Sequence, residues 1–215
     1  MASLSDVYKG LELVGALGSV KSAYYSVKHT GDPTALQIHS NTIVDIDGET
    51  AFDINNRLEI GTFPYPEVAH SKFSTGPESS ISHTGEELGR IGSGCLVSIR
   101  GAFSIGDSYI REGSHITCTS EVTIGDNCAL SWDLDILDND YHQLSVDGVD
   151  STKSKPVRIE DDVWVGHGAS INKGVTIHEG SVVACDSVVV SDVPPRTLVA
   201  GVPAEVVRED IEWVH

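Results

Sequence analysis

The ten residues DILDNDYHQL (135–144) hold the side chains best suited to chemistry in this chain. His142 follows Asp138 and Asp140, and histidine, which titrates at about pH 6.5 when unperturbed, is the usual general base near neutral pH. A nearby carboxylate can hold an imidazole in one tautomer. The same spacing also fits a solvated surface histidine in an acidic loop, so the residues alone leave both interpretations open.

His142 lies where a six-residue repeat is interrupted. Every sixth residue from position 159 is Val or Ile, and the residue two positions earlier is small or branched. The first row is Ile159, Val165, Ile171, Ile177, Val183 and Val189, and the second is Val157, Val163, Ala169, Val175, Ser181 and Ser187. An earlier pair of rows ends at Ile136, which is 23 residues before Ile159, and 23 is not a multiple of six. The chain therefore leaves the repeat in a loop at about 138–156, and loops on rigid scaffolds often carry function.

The repeat predicts the elements that hold this loop. An α-helix would have a period of 3.6 and a two-layer sheet would alternate strictly, whereas a period of six gives one short strand and one turn. Positions i and i−2 of a strand point the same way, so both rows face inward. Three such strands close one triangular coil, in which residues 18 apart stack. A β-sandwich with an accidental period is the alternative.

The ends of the chain depart from this pattern. Apolar residues near the start have helical spacing and predict an N-terminal helical segment over 1–30. The β-helix is expected over 31–193, followed by a C-terminal tail, 194–215, that folds back and ends in a short helix. Residues 61–90 keep no six-residue repeat and form either an irregular coil or a loop.

Composition excludes several classes of function. The formal net charge is −18, from 32 acidic and 14 basic residues, which disfavours binding to nucleic acid or anionic membranes. No apolar run is long enough to span a membrane, and the start lacks the features of a secretory signal. The four cysteines form no C-x-x-C pair and indicate reduced, buried thiols in a cytoplasmic protein. The acidity also predicts a salt-rich cytoplasm, as in halophilic archaea.

Four stretches carry a resemblance to a known family: EVTIGDNCALSW (121–132), ILDNDYH (136–142), PVRIEDDVWVG (156–166) and DVPPRTLVAGVPA (192–204). They resemble the hexapeptide-repeat acyltransferases of the left-handed β-helix class, most nearly the maltose and galactoside acetyltransferases and the surface-polysaccharide O-acetyltransferases. The resemblance covers residues from about 90 to 210. It implies an all-β, left-handed parallel β-helix that transfers an acetyl group from acetyl-CoA to a hydroxyl of a sugar or glycan precursor. It also implies a homotrimer with sites between neighbouring solenoids.

The resemblance implies a role for particular residues. The matching histidine is the catalytic base of the family, which points to His142. A nearby carboxylate can fix its tautomer, and Asp140 and Asp138 are the candidates, with Asp140 expected to be catalytic. The expected cofactor-binding residues are Trp164, Gly166, His167, Ala184, Cys185 and Arg208. The expected substrate-binding residues are His115, Trp132 and Asp138. No metal site is expected.

Some positions depart from the family. Val190-Ser191 stands where Thr-Lys is usual, and Glu205 stands where a cation is usual, so the sequence lacks these basic residues for contacts to the CoA phosphates. The alternative functions are N-acetylation of an amino sugar, a non-catalytic hexapeptide scaffold, and a γ-class carbonic anhydrase. The last requires two histidines five positions apart, and none of the nine histidines has that spacing.

Overall fold

The structure, a computed structural model, describes residues 4–61 and 70–215, with side chains from residue 17 onward in the N-terminal helix. In these ranges helix α1 (Leu4–Thr30) precedes strands β1 to β24. Nearly all the strands belong to three parallel sheets, which the chain visits in rotation as far as its C-terminal hairpin. Each rotation is one coil of a three-sided parallel β-helix.

The three sheets are called A, B and C in the order in which the chain enters them. Sheet A contains β1 (Leu36–Ile38), β4 (Arg57–Ile60), β7 (Leu88–Ile91), β10 (Tyr109–Ile110), β13 (Ala129–Leu130), β18 (Trp164–Val165), β21 (Val182–Val183), β23 (Leu198–Gly201) and β24 (Ala204–Arg208). Sheet B contains β2 (Thr42–Asp45), β5 (Ser71–Thr75), β8 (Leu96–Ile99), β11 (His115–Cys118), β14 (Asp135–Leu137), β19 (Ser170–Ile171) and β22 (Val188–Val189). Sheet C contains β3 (Ala51–Ile54), β6 (Ser80–His83), β9 (Ala102–Ile105), β12 (Glu121–Ile124), β17 (Val157–Ile159) and β20 (Thr176–Ile177). The turns between sheets form three edges of the triangular coil, called the AB, BC and CA corners.

The two repeated rows lie in the core. Every member of both rows from residue 157 to residue 189 is buried, including the polar Ser181 and Ser187. Ser181 Oγ donates a hydrogen bond to the Pro194 carbonyl at 2.6 Å, which offsets the cost of burying a hydroxyl. The predicted stacking of residues 18 apart is also observed, since Ile159 pairs with Ile177. The prediction of a left-handed parallel β-helix is confirmed.

Helix α1 covers the first open edge of the coil. The Leu36 N–H donates to Ser26 Oγ at 3.0 Å, and the Ile38 N–H donates to Ser22 Oγ at 2.7 Å. Lys21 Nζ donates to the Thr42 carbonyl at 2.6 Å. An open strand edge exposes unpaired backbone groups that favour aggregation. Side chains of the helix satisfy these groups in place of a preceding coil.

The sequence predicts either an irregular coil or a loop over residues 61–90. Strands β5, β6 and β7 continue the three sheets through most of it, so residues 71–90 belong to the coil. Residues 62–69 lie outside the described residues. The coil forms here without the six-residue pattern because its inward positions still carry apolar or paired groups, among them Phe73 and Ile81.

The predicted short C-terminal helix is wrong. Strands β23 and β24 instead form an antiparallel hairpin, and residues 211–215 continue without helical structure. The β-branched Val206 and Val207 favour a strand. The Ile211 N–H donates to the Arg196 carbonyl at 2.9 Å, and Trp213 Nε1 donates to the Asp162 carbonyl at 2.6 Å. These contacts hold the tail against the CA corner, and the five residues are too few for a stable helix.

Candidate functional site

The loop that carries His142 leaves the coil at the BC corner, between β14 and β17. It contains a small hairpin of β15 (Ser145–Val146) and β16 (Val149–Asp150), and its residues from 140 to 150 are exposed. The His142 N–H donates to the Asp140 carbonyl at 2.7 Å across a tight turn, in which Tyr141 has a φ of 59°. The turn holds His142 at the outer surface, where its imidazole can reach a bound molecule.

Asp138 anchors the base of this loop. Its side chain is fully buried, and its carboxylate accepts hydrogen bonds from the N–H groups of Thr119, Ser120 and Glu121 at 2.5–2.9 Å. Thr119 Oγ1 donates to the same carboxylate at 2.9 Å. A fully buried side chain does not reach a substrate at the surface, so this arrangement differs from the direct contact expected for Asp138. Its geometry instead fixes where the loop departs from the coil.

Replacing Asp138 with asparagine is expected to lower the free energy of unfolding by about 1–3 kcal/mol. The amide would turn an NH₂ group toward backbone N–H donors, leaving buried groups without acceptors. Urea unfolding measures the change, and Asp147→Asn at the exposed tip of the loop is the matched control. Equal stability of the two variants would show that Asp138 is not the anchor.

Asp140 forms an ion pair with the neighbouring coil. Its Oδ2 lies 2.5 Å from Lys173 Nζ, and the same ammonium donates to the Thr152 carbonyl at 2.5 Å. Lys173 therefore ties both arms of the loop to the turn after β19. In the described part of the chain the Asp140 carboxylate pairs with this ammonium, and no hydrogen bond joins it to the imidazole of His142. The sequence does not predict the role of Lys173, because its contact with Asp140 crosses from one coil to the next.

Several expected binding residues meet at the AB corner. The rings of Trp132 and His167 stack with centroids 4.8 Å apart and planes 8° apart, although the two residues lie on different coils. The Arg111 guanidinium lies over the Trp132 ring at 5.7 Å, close enough for a cation–π contact. Cys185 is exposed on the next coil, so the expected burial of all four cysteines is wrong for this one. The corner thus presents a flat aromatic surface beside a cation and a thiol, and Arg111 had no signal in the sequence.

Gly166 and Ala184 lie beside this surface and allow the coils to approach each other. A Cβ on Gly166 would lie 2.6 Å from the Cys185 backbone nitrogen, so no larger residue fits without movement. The Gly166 N–H donates to the Val183 carbonyl at 2.8 Å. These two positions shape the corner through the backbone.

Trp164 and Arg208 lie away from that corner, at the other end of the sheet A strands. Register pairs Trp164 with Val182, Val182 with Leu198, and Leu198 with Arg208, so all four share one column on sheet A. The Trp213 ring of the C-terminal tail lies 6.1 Å from the Trp164 ring. The expected cofactor residues therefore form two groups, one at the AB corner and one beside the CA corner.

His115 lies on the outer face of sheet B. Its Nδ1 is 3.4 Å from Asp135 Oδ1, and both side chains are about half exposed. Strand β14, which carries Asp135, runs from the AB corner to the BC corner, a span of about 10 Å for three residues. His115 is therefore placed between the aromatic surface and the loop of His142.

The comparisons with known proteins match part of the chain. No protein-family model matches it. It is 38% identical over 91 residues to galactoside O-acetyltransferase of Escherichia coli K12, which covers 41% of this chain and 44% of the relative. It is 53% identical over 64 residues to a 2,3,4,5-tetrahydropyridine-2,6-dicarboxylate N-acetyltransferase of Clostridium perfringens SM101, which covers 29% of this chain and 27% of the relative. Each match spans less than half the length of the relative.

A solved structure shows the same fold over most of the chain. The N-acyltransferase AntD of Bacillus cereus, solved with dTDP and coenzyme A, aligns with a TM-score of 0.52 and 18% identity, covering 78% of this chain and 83% of that chain. At that identity the likeness concerns the fold. The resemblance inferred from the four motifs is confirmed, because hexapeptide-repeat acetyltransferases are among the relatives. The chain is thus similar to hexapeptide-repeat acetyltransferases in fold and in motif sequence, and its relatives include both O- and N-acetyltransferases.

Proposed function

We propose that this protein is an acetyl-CoA-dependent acetyltransferase whose acceptor is a hydroxyl of a sugar or glycan precursor, with His142 as general base. The observation that carries the proposal is the exposed His142 on a loop whose base is locked by the buried Asp138. That loop interrupts the coil within a motif shared with acetyltransferases. Tight anchoring of an exposed histidine suits a base that must be aimed at a reacting group.

In the proposed reaction His142 carries out one proton transfer. Its neutral imidazole removes the hydroxyl proton of the acceptor as the oxygen attacks the carbonyl carbon of the acetyl thioester. The C–O bond forms, the C–S bond breaks, and the CoA thiolate leaves and takes up the proton. General-base catalysis of this kind contributes about 10²–10⁴ in rate. The Lys173 ammonium supports the step indirectly, since it holds Asp140 and the loop.

The donor is assigned to the AB corner. Its aromatic pair of Trp132 and His167 offers a flat surface beside the Arg111 guanidinium, which also pairs with Glu112 at 3.2 Å. Because the corner lies about 10 Å from the BC corner along sheet B, we assign His142 and the donor of one active site to two different chains. In the cyclic homotrimer that we propose, a BC corner of one chain faces an AB corner of the next.

Helix α1 adds support for association. Leu17, Val20, Tyr24 and Val27 are each more than half exposed and follow the three-and-four spacing of an apolar helical stripe. Contiguous exposed apolar side chains are typical of surfaces that another protein covers. Light scattering at working salt is expected to give the mass of three chains. The mass of a single chain would contradict the composite site.

The acceptor class is tested by measuring product. Release of free CoA thiol is expected when the protein is mixed with acetyl-CoA and a panel of sugars, and mass spectrometry with mild alkali separates esters from amides. Alkali-labile products support O-acetylation. N-acetylation of an amino sugar, which the N-acetyltransferase relatives favour, would give alkali-stable products. A non-catalytic scaffold would bind no acetyl-CoA by isothermal titration calorimetry.

Salt is expected to raise both stability and donor affinity. The acidic surface repels itself and the CoA phosphates, and Glu205 stands where the family has a cation. The Debye length falls from about 10 Å at ~0.1 M salt to about 3 Å at ~1 M. Melting temperature and acetyl-CoA affinity should therefore both increase as KCl is raised across that range, in keeping with a salt-rich cytoplasm. Flat or falling values would contradict this proposal.

A further inference from the structure

The AB corner brings together three side chains that suit a metal ion. His167 and Cys185 are 18 residues apart, so they stack one above the other on successive coils, and Asp186 follows Cys185. The donor atoms of the imidazole, the thiol and the carboxylate all lie within 4.8 Å of one another. Among the side chains that the structure describes, this is the one cluster of three potential metal ligands.

The surrounding residues leave room for these donors and orient one of them. Gly168 has a φ of 69°, and a Cβ there would lie 2.3 Å from Asp186 Oδ1, so only glycine admits the carboxylate at this place. Trp132 stacks on His167 and restricts the rotation of its ring. The Asp186 N–H donates to the His167 carbonyl at 2.9 Å, which links the two coils beside the cluster.

We propose that His167, Cys185 and Asp186 form a binding site for a borderline divalent cation of the zinc class. One imidazole nitrogen, one thiolate and one carboxylate oxygen are a set of ligands that Zn²⁺ commonly takes, with a fourth position left for water. Ligand bonds of about 2.0–2.3 Å place the donors roughly 3.5 Å apart. The cluster closes to that size by rotation of Cys185 and Asp186, which are exposed. The Cys185 thiol loses its proton to solvent on binding.

The other thiols do not compete for the ion. Burial raises the pKa of Cys95 and Cys118 to about 12 and that of Cys128 to about 11, so these three stay protonated. The sequence gives no sign of the site, because the spacings between the three ligands are not typical of zinc motifs. His167 and Cys185 come together because they are one coil apart. Asp186 joins them because Gly168 on the coil below leaves room for its carboxylate.

The site has a consequence that rests on the proposed function. If acetyl-CoA occupies the AB corner, a bound ion and the donor share His167 and Cys185, so they compete. Micromolar zinc would then inhibit acetyl transfer, and chelation would restore it. The ion would thus bind at the donor surface as an inhibitor and would take no part in the reaction.

The experiment measures binding of the metal alone to the full chain. Zn²⁺ is titrated by calorimetry, and Co²⁺ is added separately to record the near-ultraviolet charge-transfer band of a cobalt–thiolate bond. We expect one ion per chain and a band that disappears in Cys185→Ser. Since loss of a group that merely orients a ligand already costs about 10–100-fold, loss of a ligand in Cys185→Ser or Asp186→Asn should weaken binding at least about tenfold.

The coil supplies a matched control. Asp133 occupies the equivalent corner position on an earlier coil, with a φ of 56° and with Gly113 beneath it, but in the described part of the chain its carboxylate belongs to no cluster with a histidine and a cysteine. Asp133→Asn should bind zinc like the wild type. Absence of one-to-one binding, or undiminished binding in Cys185→Ser, would overturn the site. Binding that does not compete with acetyl-CoA would leave the site standing and count against the assigned position of the donor.

Discussion

Replacing His142 with alanine is expected to lower kcat by at least about 10², with little change in melting temperature. The general base contributes in the transition state, whereas an exposed loop side chain contributes little to the core. Loss of the base should reduce kcat and kcat/KM together, because the imidazole acts on the reacting proton and adds little to ground-state binding. Initial rates of CoA release over a range of donor and acceptor concentrations separate these parameters.

A second histidine provides the control for this experiment. His178 lies at the CA corner, where its Nδ1 is 3.1 Å from Glu160 Oε1 at the surface. His178→Ala should keep wild-type turnover, and an exposed pair of this kind contributes at most about 1 kcal/mol to stability. Wild-type turnover in His142→Ala would show that the break in the repeat has another purpose than catalysis. A large loss of melting temperature in that variant would assign His142 to structure.

Two inactive variants are expected to restore activity when they assemble together. One is His142→Ala, and the other combines Trp132→Ala with His167→Ala. If each site takes its base from one chain and its donor surface from the next, every trimer that contains both kinds of chain has about one site in three intact. The purified mixed trimers should therefore recover about one third of wild-type activity. Co-expression with two affinity tags, followed by purification on both, gives the mixed assembly.

The matched control is a mixture without any intact base. His142→Ala is co-assembled with a chain that carries all three substitutions, so no site contains His142. This mixture should be inactive at every ratio. If the first mixture is equally inactive while its mass shows mixed trimers, the base and the donor surface of each site belong to one chain. That result would contradict the composite site without affecting the role of His142.

The fold was predictable because its signal is local and repeated. Inward positions recur every six residues, so rows such as Ile159, Ile171 and Ile177 indicate strand, turn and facing direction together. The loop of His142 was found by the same means, as a failure of that count between Ile136 and Ile159. The region 71–90 lacks the pattern but still forms a coil. Strand pairing with neighbouring coils supplies its backbone hydrogen bonds, although its own sequence has no six-residue repeat.

Spacing along the chain predicts which residues face the core and where the chain leaves it. The contacts of the polar residues, in contrast, depend on how the coils stack. Asp138 turns inward onto three backbone N–H groups, Asp140 pairs with Lys173, and the tail lies along a corner where a helix was expected. Each of these depends on groups of another coil or a distant corner, 17 or more residues away along the chain. Hydrogen bonds and ion pairs act over a few ångströms in space, so sequence distance carries little information about them.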